Sequence, residues 1–313
     1  RGSQVRLQAL NANGRGLLAA AARALPVPLR RATPDLIELD FPLPDSEDLE
    51  ERLLAPAPLH AIRSLLRCAD SVRCEPFGAL AFGVVAFEHG AFGEAIAPSA
   101  DEDDFPDYLF WIADSLVLFE TGVSPQLICA SFGAGAAAEA NYHDAAHRIE
   151  RLVARCEQTT ANFDEVEPPC TPPANVETDL DDNQFAELVN RMKEEIAAGE
   201  VFQIVPSRTF RFPCPDPMRS FAALRRVEEN SYRFFVRGAD FTLIGASPET
   251  SVRLKREDGA MTVEIRPITG TRRGAVDPDE HGRLEADLRL DEKELAEHMM
   301  LVDLARNDVA HVS

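Results

Sequence analysis

Apolar residues recur at two different spacings along the chain, and the spacing predicts where helices and strands lie. Three stretches have the composition and the three-to-four-residue spacing of helices with one apolar face. The first two are Gly16–Ala24 and Asn141–Glu157. The third can be capped by Asp182 or Asn183 and ends at Gly199, which is a common helix stop.

Short runs rich in aromatic and β-branched residues, bounded by turn residues, predict strands. The run FGALAFGVVAF, Phe77–Phe87, is almost continuously apolar, which fits a strand buried on at least one face. Two pairs of runs flank turn-like residues and predict hairpins, Tyr232–Val236 with Phe241–Ile244 and Ser251–Leu254 with Met261–Ile265. Further strands are predicted at Gln4–Leu10, at Leu36–Leu39, in FPDYLFWIADSLVLFE, in QLICASFG and in VFQIVPSRTFRF.

This mixture of elements predicts an α+β protein in which helices pack on a mostly antiparallel sheet. The segment Asp164–Asp182 is rich in acidic residues and proline, and we interpret it as a linker. The linker divides the chain into an N-terminal region, residues 1–163, and a second region, residues 183–313.

Composition and charge limit the kinds of partner that the protein can bind. Apolar residues make up 45% of the 313-residue chain, which is enough for a hydrophobic core. The net charge of −21 and the lack of a long basic run argue against binding to nucleic acid or to an acidic membrane surface. No apolar stretch approaches the length of a membrane span, and the six scattered cysteines indicate a reducing compartment, so we predict a cytoplasmic protein. Any anionic substrate would need a local cation or a metal ion.

The last segment of the chain, DEKELAEHMMLVDLARND, reads as a helix that carries two glutamates on one face. Glu294 and Glu297 lie three residues apart and therefore share that face. They are either a solvated face, with Lys293 paired to Glu297, or two oxygen ligands for a hard cation such as Mg²⁺. The neighbouring apolar stripe, which we expect to be buried, consists of Leu295, Met299 and Val302.

Two turns hold the other residues that could carry chemistry. In GASPET, Glu249 follows small residues and a proline. A glutamate at such a turn is usually exposed, but a partly buried one keeps its proton to higher pH and can donate it to a poor leaving group such as hydroxide. In RPITGTRRG, Gly270 permits a close approach that other residues forbid, and Thr271 offers a hydroxyl and an amide beside it. The same string is also compatible with an ordinary turn after a strand.

Four strings occur in a fixed order, GEVFQIVPSR, FTLIGASPET, IRPITGTRRG and DEKELAEHMMLVDLARND. In this order they resemble the chorismate-binding enzymes, and among these the family of anthranilate synthase large subunits, component I. The similarity is dense from about Phe185 onwards and looser back to VRLQALNANG, so it covers most of the chain.

The resemblance implies an antiparallel β-sandwich flanked by helices, with chorismate and Mg²⁺ in a cleft between its halves. It implies that Glu297 is a direct Mg²⁺ ligand and that Glu294 acts on the ion through water. Glu249 matches the proposed acid that helps the ring hydroxyl to leave. Gly270 and Thr271 match the loop that lines the substrate ring.

Gln203 matches the position that distinguishes reactions within the family. Relatives that add water to chorismate carry a lysine there as general base, whereas ammonia is already a nucleophile, so the neutral Gln203 favours amination. Otherwise Gln203 is an ordinary polar strand residue. The implied reaction gives anthranilate and pyruvate, the first committed step of tryptophan biosynthesis. The ammonia would come from a separate glutamine amidotransferase subunit, because this chain has no motif resembling the cysteine nucleophile of such an enzyme.

The candidate inhibitor site departs from the family pattern. The family's tryptophan feedback site includes a motif close to NPSPYMFF, whereas this chain reads ENSYRFF. Ser231 stands in place of a proline and Arg233 in place of a methionine, on either side of Tyr232. An upstream Leu-Leu-Glu-Ser element of that site is also missing from the sequence, so the resemblance supports feedback inhibition by tryptophan only weakly.

The family continues beyond Ser313 with a catalytic histidine, further substrate-binding residues and a second pair of metal-binding glutamates. We therefore expect a chain that is truncated at both ends, with a sandwich incomplete at the C-terminus, and that cannot turn over chorismate alone. Two alternatives stay open. One is an aminodeoxyisochorismate synthase, which keeps the pyruvyl group, and the other is a non-catalytic fragment that binds a partner.

Overall fold

A computed structural model describes residues 3–42, 46, 48–69, 77–92, 105–133, 136–158, 175–228, 232–257 and 259–312. The chain forms two compact units, Arg1–Thr160 and Ala161–Ser313. Each unit mixes helices with small antiparallel sheets, which confirms the α+β class. The described strands form one three-stranded sheet and five two-stranded sheets, so the sandwich stays a prediction, as do the domain boundaries at residues 163 and 183.

The first unit contains a three-stranded sheet in the order β1-β3-β2 and two hairpin-like pairs, β4 with β5 and β6 with β7. Its elements are β1 (Gln4–Gln8), α1 (Ala12–Ala21), β2 (Leu29–Ala32), β3 (Leu36–Asp40), α2 (Leu49–Leu54), α3 (Leu59–Ala69), β4 (Leu80–Val85), a 3₁₀ helix (Phe87–Phe92), β5 (Tyr108–Ala113), β6 (Ser115–Leu118), β7 (Gln126–Cys129) and α4 (Ala136–Gln158).

The core of the first unit follows from the alternation of apolar and polar residues in its strands. In β1, Val5 and Leu7 are buried while the residues between and beside them are exposed. The same pattern buries Ile37 and Leu39 of β3, and the two strands pair in antiparallel register. Helices α1 and α3 add side chains to this cluster, which also includes Leu17, Leu18, Ala21, Phe41, Ala61, Leu65 and Phe132.

A buried asparagine joins α1 to the chain that follows β7. The Asn13 side chain donates to the carbonyl of Ala130 at 2.9 Å and accepts from the amide of Phe132 at 2.6 Å. The side chain of Asn141 in α4 donates to the Phe132 carbonyl at 2.6 Å. Both asparagines are buried, and their bonds satisfy the buried main-chain groups of Phe132 and the partly buried carbonyl of Ala130.

The second unit contains three small antiparallel pairs, β8 with β9, β10 with β11 and β12 with β13. Its elements are β8 (Glu177–Thr178), α5 (Asp182–Ala198), β9 (Phe210–Arg211), α6 (Pro217–Val227), β10 (Tyr232–Arg237), β11 (Thr242–Ser247), β12 (Arg253–Glu257), β13 (Ala260–Glu264), α7 (Pro278–Leu290) and α8 (Glu292–Ala310). None of the described helices in either unit is long and apolar enough to cross a membrane.

Two predicted helices start elsewhere than expected, and in each case the capping residue sets the start. Helix α1 begins four residues before the predicted Gly16, since the Asn11 side chain accepts the Gly14 amide at 2.8 Å. Helix α5 is capped by Asp181, in a capping box with Gln184, and not by Asp182 or Asn183. Its predicted stop at Gly199 is confirmed, with a left-handed φ of 82°.

The predicted strand VFQIVPSRTFRF is wrong over most of its length. Only Phe210–Arg211 is a strand, paired with β8, and residues 201–209 have no regular structure. Phe202 and Val205 are each 80% exposed. Apolar composition favours a strand, but a strand also needs a neighbour for its main-chain hydrogen bonds, and the described residues provide one only for the last two positions.

Candidate functional site

The end of α7 and the start of α8 share one aspartate. Asp291 ends α7, and its side chain accepts the amides of Lys293 at 3.1 Å and Glu294 at 3.2 Å, which caps α8. Aspartate is a favoured cap because its carboxylate accepts amides that have no partner within the helix. Glu294 is therefore fixed in the first turn of α8.

The loop before α7 approaches Glu294 closely at Gly270. Gly270 has a left-handed φ of 69°, and a Cβ atom placed on it would lie 2.9 Å from Oε2 of Glu294 and 3.1 Å from Cδ1 of Leu288. A side chain at this position would therefore be strained by the backbone and would push against the carboxylate. The glycine allows the loop that carries Thr271 to lie against α8.

Arg272 connects the same loop to both helices. Its Nε donates to Asp287 of α7 at 2.8 Å and its Nη2 to Asp291 at 2.7 Å, while Nη1 lies 3.7 Å from Glu294. Nη1 also donates to the carbonyl of Thr271 at 3.1 Å. The hydrogen bonds to Asp287 and Asp291 raise the pKa of Arg272. The Glu294 amide and the Arg272 guanidinium lower the pKa of Asp291.

Helix α8 is oriented in the opposite way to the sequence prediction. The side chain of Glu294 is only 22% exposed, and Glu297 is half-buried. Leu295 and Met299, from the apolar stripe expected to be buried, are 52% and 56% exposed, and Val302 is exposed as well, so that expectation is wrong. The ion pair with Arg272 at 3.7 Å and the missing side chain at Gly270 allow Glu294 to face the loop, and neither feature is visible in the helical period.

Glu294 and Glu297 fit a magnesium ion by their chemistry. Carboxylate oxygens are the ligands that Mg²⁺ prefers, and the ion commonly uses one or two protein carboxylates and keeps several waters. The alternative pair between Lys293 and Glu297 does not form among the described residues. Within the same part of the chain, no group of three or more acidic, histidine or cysteine side chains is arranged to hold a metal ion.

Glu249 and Gln203 have no described contact with the residues around Arg272 and Glu294. Glu249 follows β11 and is exposed, and Ser247 brackets its main chain by accepting its amide at 3.3 Å and donating to its carbonyl at 3.1 Å. Gln203 is exposed within the irregular segment 201–209. The described contacts do not join either side chain to Gly270 or Glu294, and they do not bury Glu249 as a proton donor would require.

Two of the three candidate inhibitor-binding positions lie within the described residues. Ser231 lies outside the described residues. Tyr232 opens β10, and its hydroxyl accepts from the hydroxyl of Thr250 at 2.5 Å. Arg233 donates to the carbonyl of Arg225 at the end of α6 at 3.4 Å. Tyr232 and Arg233 therefore have structural partners, and their role as inhibitor contacts stays a prediction.

A cavity of about 750 Å³ lies in the first unit. It is bordered by all five residues of β1 and by Tyr108–Ile112 of β5, and none of the predicted site residues lines it. Because successive strand residues point to opposite faces, lining by a whole strand places the cavity at the strand edges. Burial, and to a smaller extent Asp107, raises the pKa of the Tyr108 phenol at this cavity.

Sequence reasoning missed three residues that organise the loop and the helices. They are Arg272, Asp287 and Asp291. A signal for Asp291 was present, because an aspartate three residues before a glutamate is a pattern of helix starts. No comparable signal marked Arg272 and Asp287, since fifteen residues separate them in sequence.

Fold and site together define an α+β protein in which Glu294, one of two carboxylates on the same helix face, lies beside a glycine-containing loop. This arrangement suits a small ligand or a hard cation. The chain belongs to the chorismate-binding enzymes, because the family described as chorismate binding enzyme matches residues 45–313.

Several curated relatives carry one name. The chain is 36% identical to anthranilate synthase component 1 of Serratia marcescens, 35% to that of Escherichia coli (strain K12) and 38% to the pyocyanine-specific component 1 of Pseudomonas aeruginosa, over 99% of its own length in each case. It spans about 60% of the length of these relatives.

A solved structure supports the fold. The crystal structure of anthranilate synthase component I from Streptococcus pneumoniae TIGR4 matches with a TM-score of 0.64 at 22% identity. The match covers 98% of this chain and 61% of that one. At this identity the similarity concerns the fold alone.

Proposed function

We propose that this chain provides part of a Mg²⁺-dependent lyase that converts chorismate and ammonia to anthranilate. The observation that carries the proposal is the orientation of α8, which directs Glu294 toward Gly270 and Arg272 and leaves its apolar stripe exposed. A solvated acidic face would have the opposite orientation. Membership of the chorismate-binding enzymes and the names of the similar proteins support the choice of substrate.

The proposed reaction has two steps. Ammonia adds to C2 of chorismate while the C4 hydroxyl leaves as water, with Glu249 as the proton donor. Loss of the C2 proton and of the enolpyruvyl group then gives anthranilate and pyruvate. Gln203 offers no base for activating water, which supports ammonia as nucleophile. Gly270 and Thr271 line the substrate ring.

Glu297 and Glu294 would hold the magnesium ion, Glu297 directly and Glu294 through water. A bound Mg²⁺ would supply the positive charge that a dicarboxylate substrate needs on a protein of net charge −21. The two glutamates would contribute by fixing the position of that charge relative to the Gly270 loop.

We also propose the finer features of the family for the complete protein. These are the closed β-sandwich, a glutamine amidotransferase subunit as the source of ammonia, and a cytoplasmic location. A tryptophan inhibitor site at Ser231, Tyr232 and Arg233 belongs to the same proposal, and its altered sequence is a reason to measure it separately.

The direct test uses the full-length gene product that contains residues 1–313, supplied with chorismate, Mg²⁺ and excess ammonium. We expect anthranilate fluorescence and an equal amount of pyruvate. Glu297→Gln and Glu249→Gln should each lower kcat by about 100-fold or more, which is typical of losing a general acid or a charged ligand. No product from the wild-type protein would refute the function.

The same assay separates the two alternatives. A product that retains the pyruvyl mass, without free pyruvate, would indicate an aminodeoxyisochorismate synthase. The 313-residue chain is assayed in parallel, and we expect no turnover from it, because Gln203 and Glu249 are exposed and not assembled with α8 in the described contacts. Turnover by that chain would contradict this expectation.

A further inference from the structure

We propose that Arg272 is a positioning residue that fixes the Gly270–Thr271 loop on the junction of α7 and α8. The inference rests on the proposed function, because it assigns to this loop the placement of the substrate ring. It concerns how the loop is held, and neither the sequence motifs nor the family resemblance assigned Arg272 a role.

The guanidinium joins parts of the chain that are separate in sequence. It reaches Asp287 in α7 at 2.8 Å, Asp291 between the helices at 2.7 Å and the neighbourhood of Glu294 at 3.7 Å. The side chain is only 23% exposed, which reduces the screening of these interactions by water. One side chain therefore ties the loop to both helices.

The planar geometry of arginine is needed for this connection. Its nitrogens point in fixed, divergent directions, so that Nε and Nη2 serve two carboxylates while Nη1 donates to the carbonyl of Thr271 at 3.1 Å. This last bond joins the guanidinium to the main chain of the loop that carries it. A lysine has a single ammonium group on a flexible stem and cannot reproduce the set.

The distances from the Arg272 nitrogens show that the three carboxylates interact with it differently. Asp287 and Asp291 form charge-assisted hydrogen bonds with Arg272, whereas Glu294 lies beyond hydrogen-bond distance of it. Glu294 lies at ion-pair distance from Nη1, 3.7 Å, and faces Gly270, where an added Cβ would come within 2.9 Å of its Oε2. Arg272 thus makes its carboxylate hydrogen bonds with the two aspartates and forms none with Glu294.

The chain offers a matched control in the next residue. Arg273 pairs with Glu280 of α7 at 2.6 Å, but its side chain is 78% exposed, and no described contact joins it to α8. Arg272→Gln, Arg272→Lys and Arg273→Gln are compared in the full-length protein. Each variant is measured by hydrogen exchange at the first turn of α8 and by chorismate kinetics at saturating Mg²⁺ and ammonium.

We expect faster exchange at the start of α8 in both Arg272 variants and not in Arg273→Gln. We expect kcat/KM for chorismate to fall by about 10- to 100-fold in the Arg272 variants, with part of the loss in kcat, because a loop displaced by about 1 Å misaligns the substrate. Arg272→Lys keeps the charge, so its failure to restore kcat distinguishes positioning from simple charge balance.

Each other outcome overturns a defined part of the proposal. Unchanged exchange in Arg272→Gln refutes the connection itself, whatever the enzyme does. Faster exchange with kinetics equal to those of Arg273→Gln refutes the positioning role. If the wild-type protein forms no anthranilate, the proposed function fails and the kinetic role fails with it, while the exchange data still decide whether Arg272 holds the loop.

Discussion

At the scale of single residues, Gly270 and Gly274 show how the same amino acid in one loop has two different constraints. Gly270 has a left-handed φ of 69° and faces the Glu294 carboxylate, whereas a Cβ on Gly274 would meet no atom within 4 Å. The backbone conformation and the nearby carboxylate therefore require glycine at position 270 but not at position 274, and alanine substitutions can measure this difference.

Replacing Gly270 by alanine should destabilise the second unit by about 1–2 kcal/mol, since a left-handed alanine is strained and its Cβ displaces Glu294. Chemical denaturation followed by circular dichroism measures the change. Gly274→Ala is the control and should alter the free energy of unfolding by less than about 0.5 kcal/mol. Equal effects of the two substitutions would contradict the described contact at Gly270.

Asn13 gives a second prediction at this scale, in the first unit. Asn13→Ala leaves the buried amide of Phe132 without a partner, which should cost about 1–3 kcal/mol, whereas the carbonyl of Ala130 still accepts from Arg148 at 2.8 Å. Asn13→Asp should also destabilise, because a carboxylate cannot donate to the Ala130 carbonyl. Thermal unfolding of both variants tests this, and a wild-type melting temperature in either one would show that these bonds are not needed.

At the scale of elements, β8 and β9 pair over only two residues each, and the side chain of one aspartate adds a further bond between their ends. Asp179 accepts the amide of Thr209 at 2.8 Å and that of Leu180 at 2.9 Å. These main-chain bonds, the Thr209 bond first, lower the pKa of Asp179. The segment between residues 175 and 182 is thus structured by a carboxylate at a position where composition predicted a linker.

The lowered pKa of Asp179 makes the second unit sensitive to acid. The folded state binds the proton more weakly than the unfolded state, so the contribution of this carboxylate is complete above the ordinary aspartate range and is lost as the pH falls through the lowered pKa. We expect Asp179→Asn to be less stable than wild type at neutral pH, and the difference to shrink on acidification. Urea midpoints across a pH series measure this, and a difference that does not change with pH would contradict it.

At the scale of the whole molecule, the two units bury their apolar residues very differently. The first unit has a cluster that includes Phe41 at 0% and Leu39 at 1% exposure. Among the described residues of the second unit, Ala222 is the only buried hydrophobic residue, and large side chains such as Phe202 and Leu290 are 80% exposed. Exposed apolar surface of this kind promotes association.

Substitutions in the two units should therefore act on different properties of the 313-residue chain. Leu39→Ala should cost about 2–5 kcal/mol of stability, as expected for a filled core position. Phe202→Ser should leave the stability within about 0.5 kcal/mol and should reduce concentration-dependent association in sedimentation velocity. Association that persists unchanged in Phe202→Ser would show that this apolar residue does not contribute to it.

Local features were predictable where the interacting residues are close in sequence. The hairpin of β10 with β11 and that of β12 with β13 match the expected runs, because each strand finds its partner across a short turn. The stop of α5 at Gly199 is also local. Residues 201–209 failed as a strand because the same apolar pattern does not specify a neighbour.

By itself, the sequence determined the α+β class, the common helix face of Glu294 and Glu297, and the order of motifs that marks a chorismate-binding enzyme. These follow from short-range periodicity and residue type. Only the tertiary structure decided which face of α8 turns to the Gly270 loop, because that depends on Arg272 bonding to two aspartates distant in sequence. A helical period sets which side chains lie together, while the free energy of long-range contacts sets what they face.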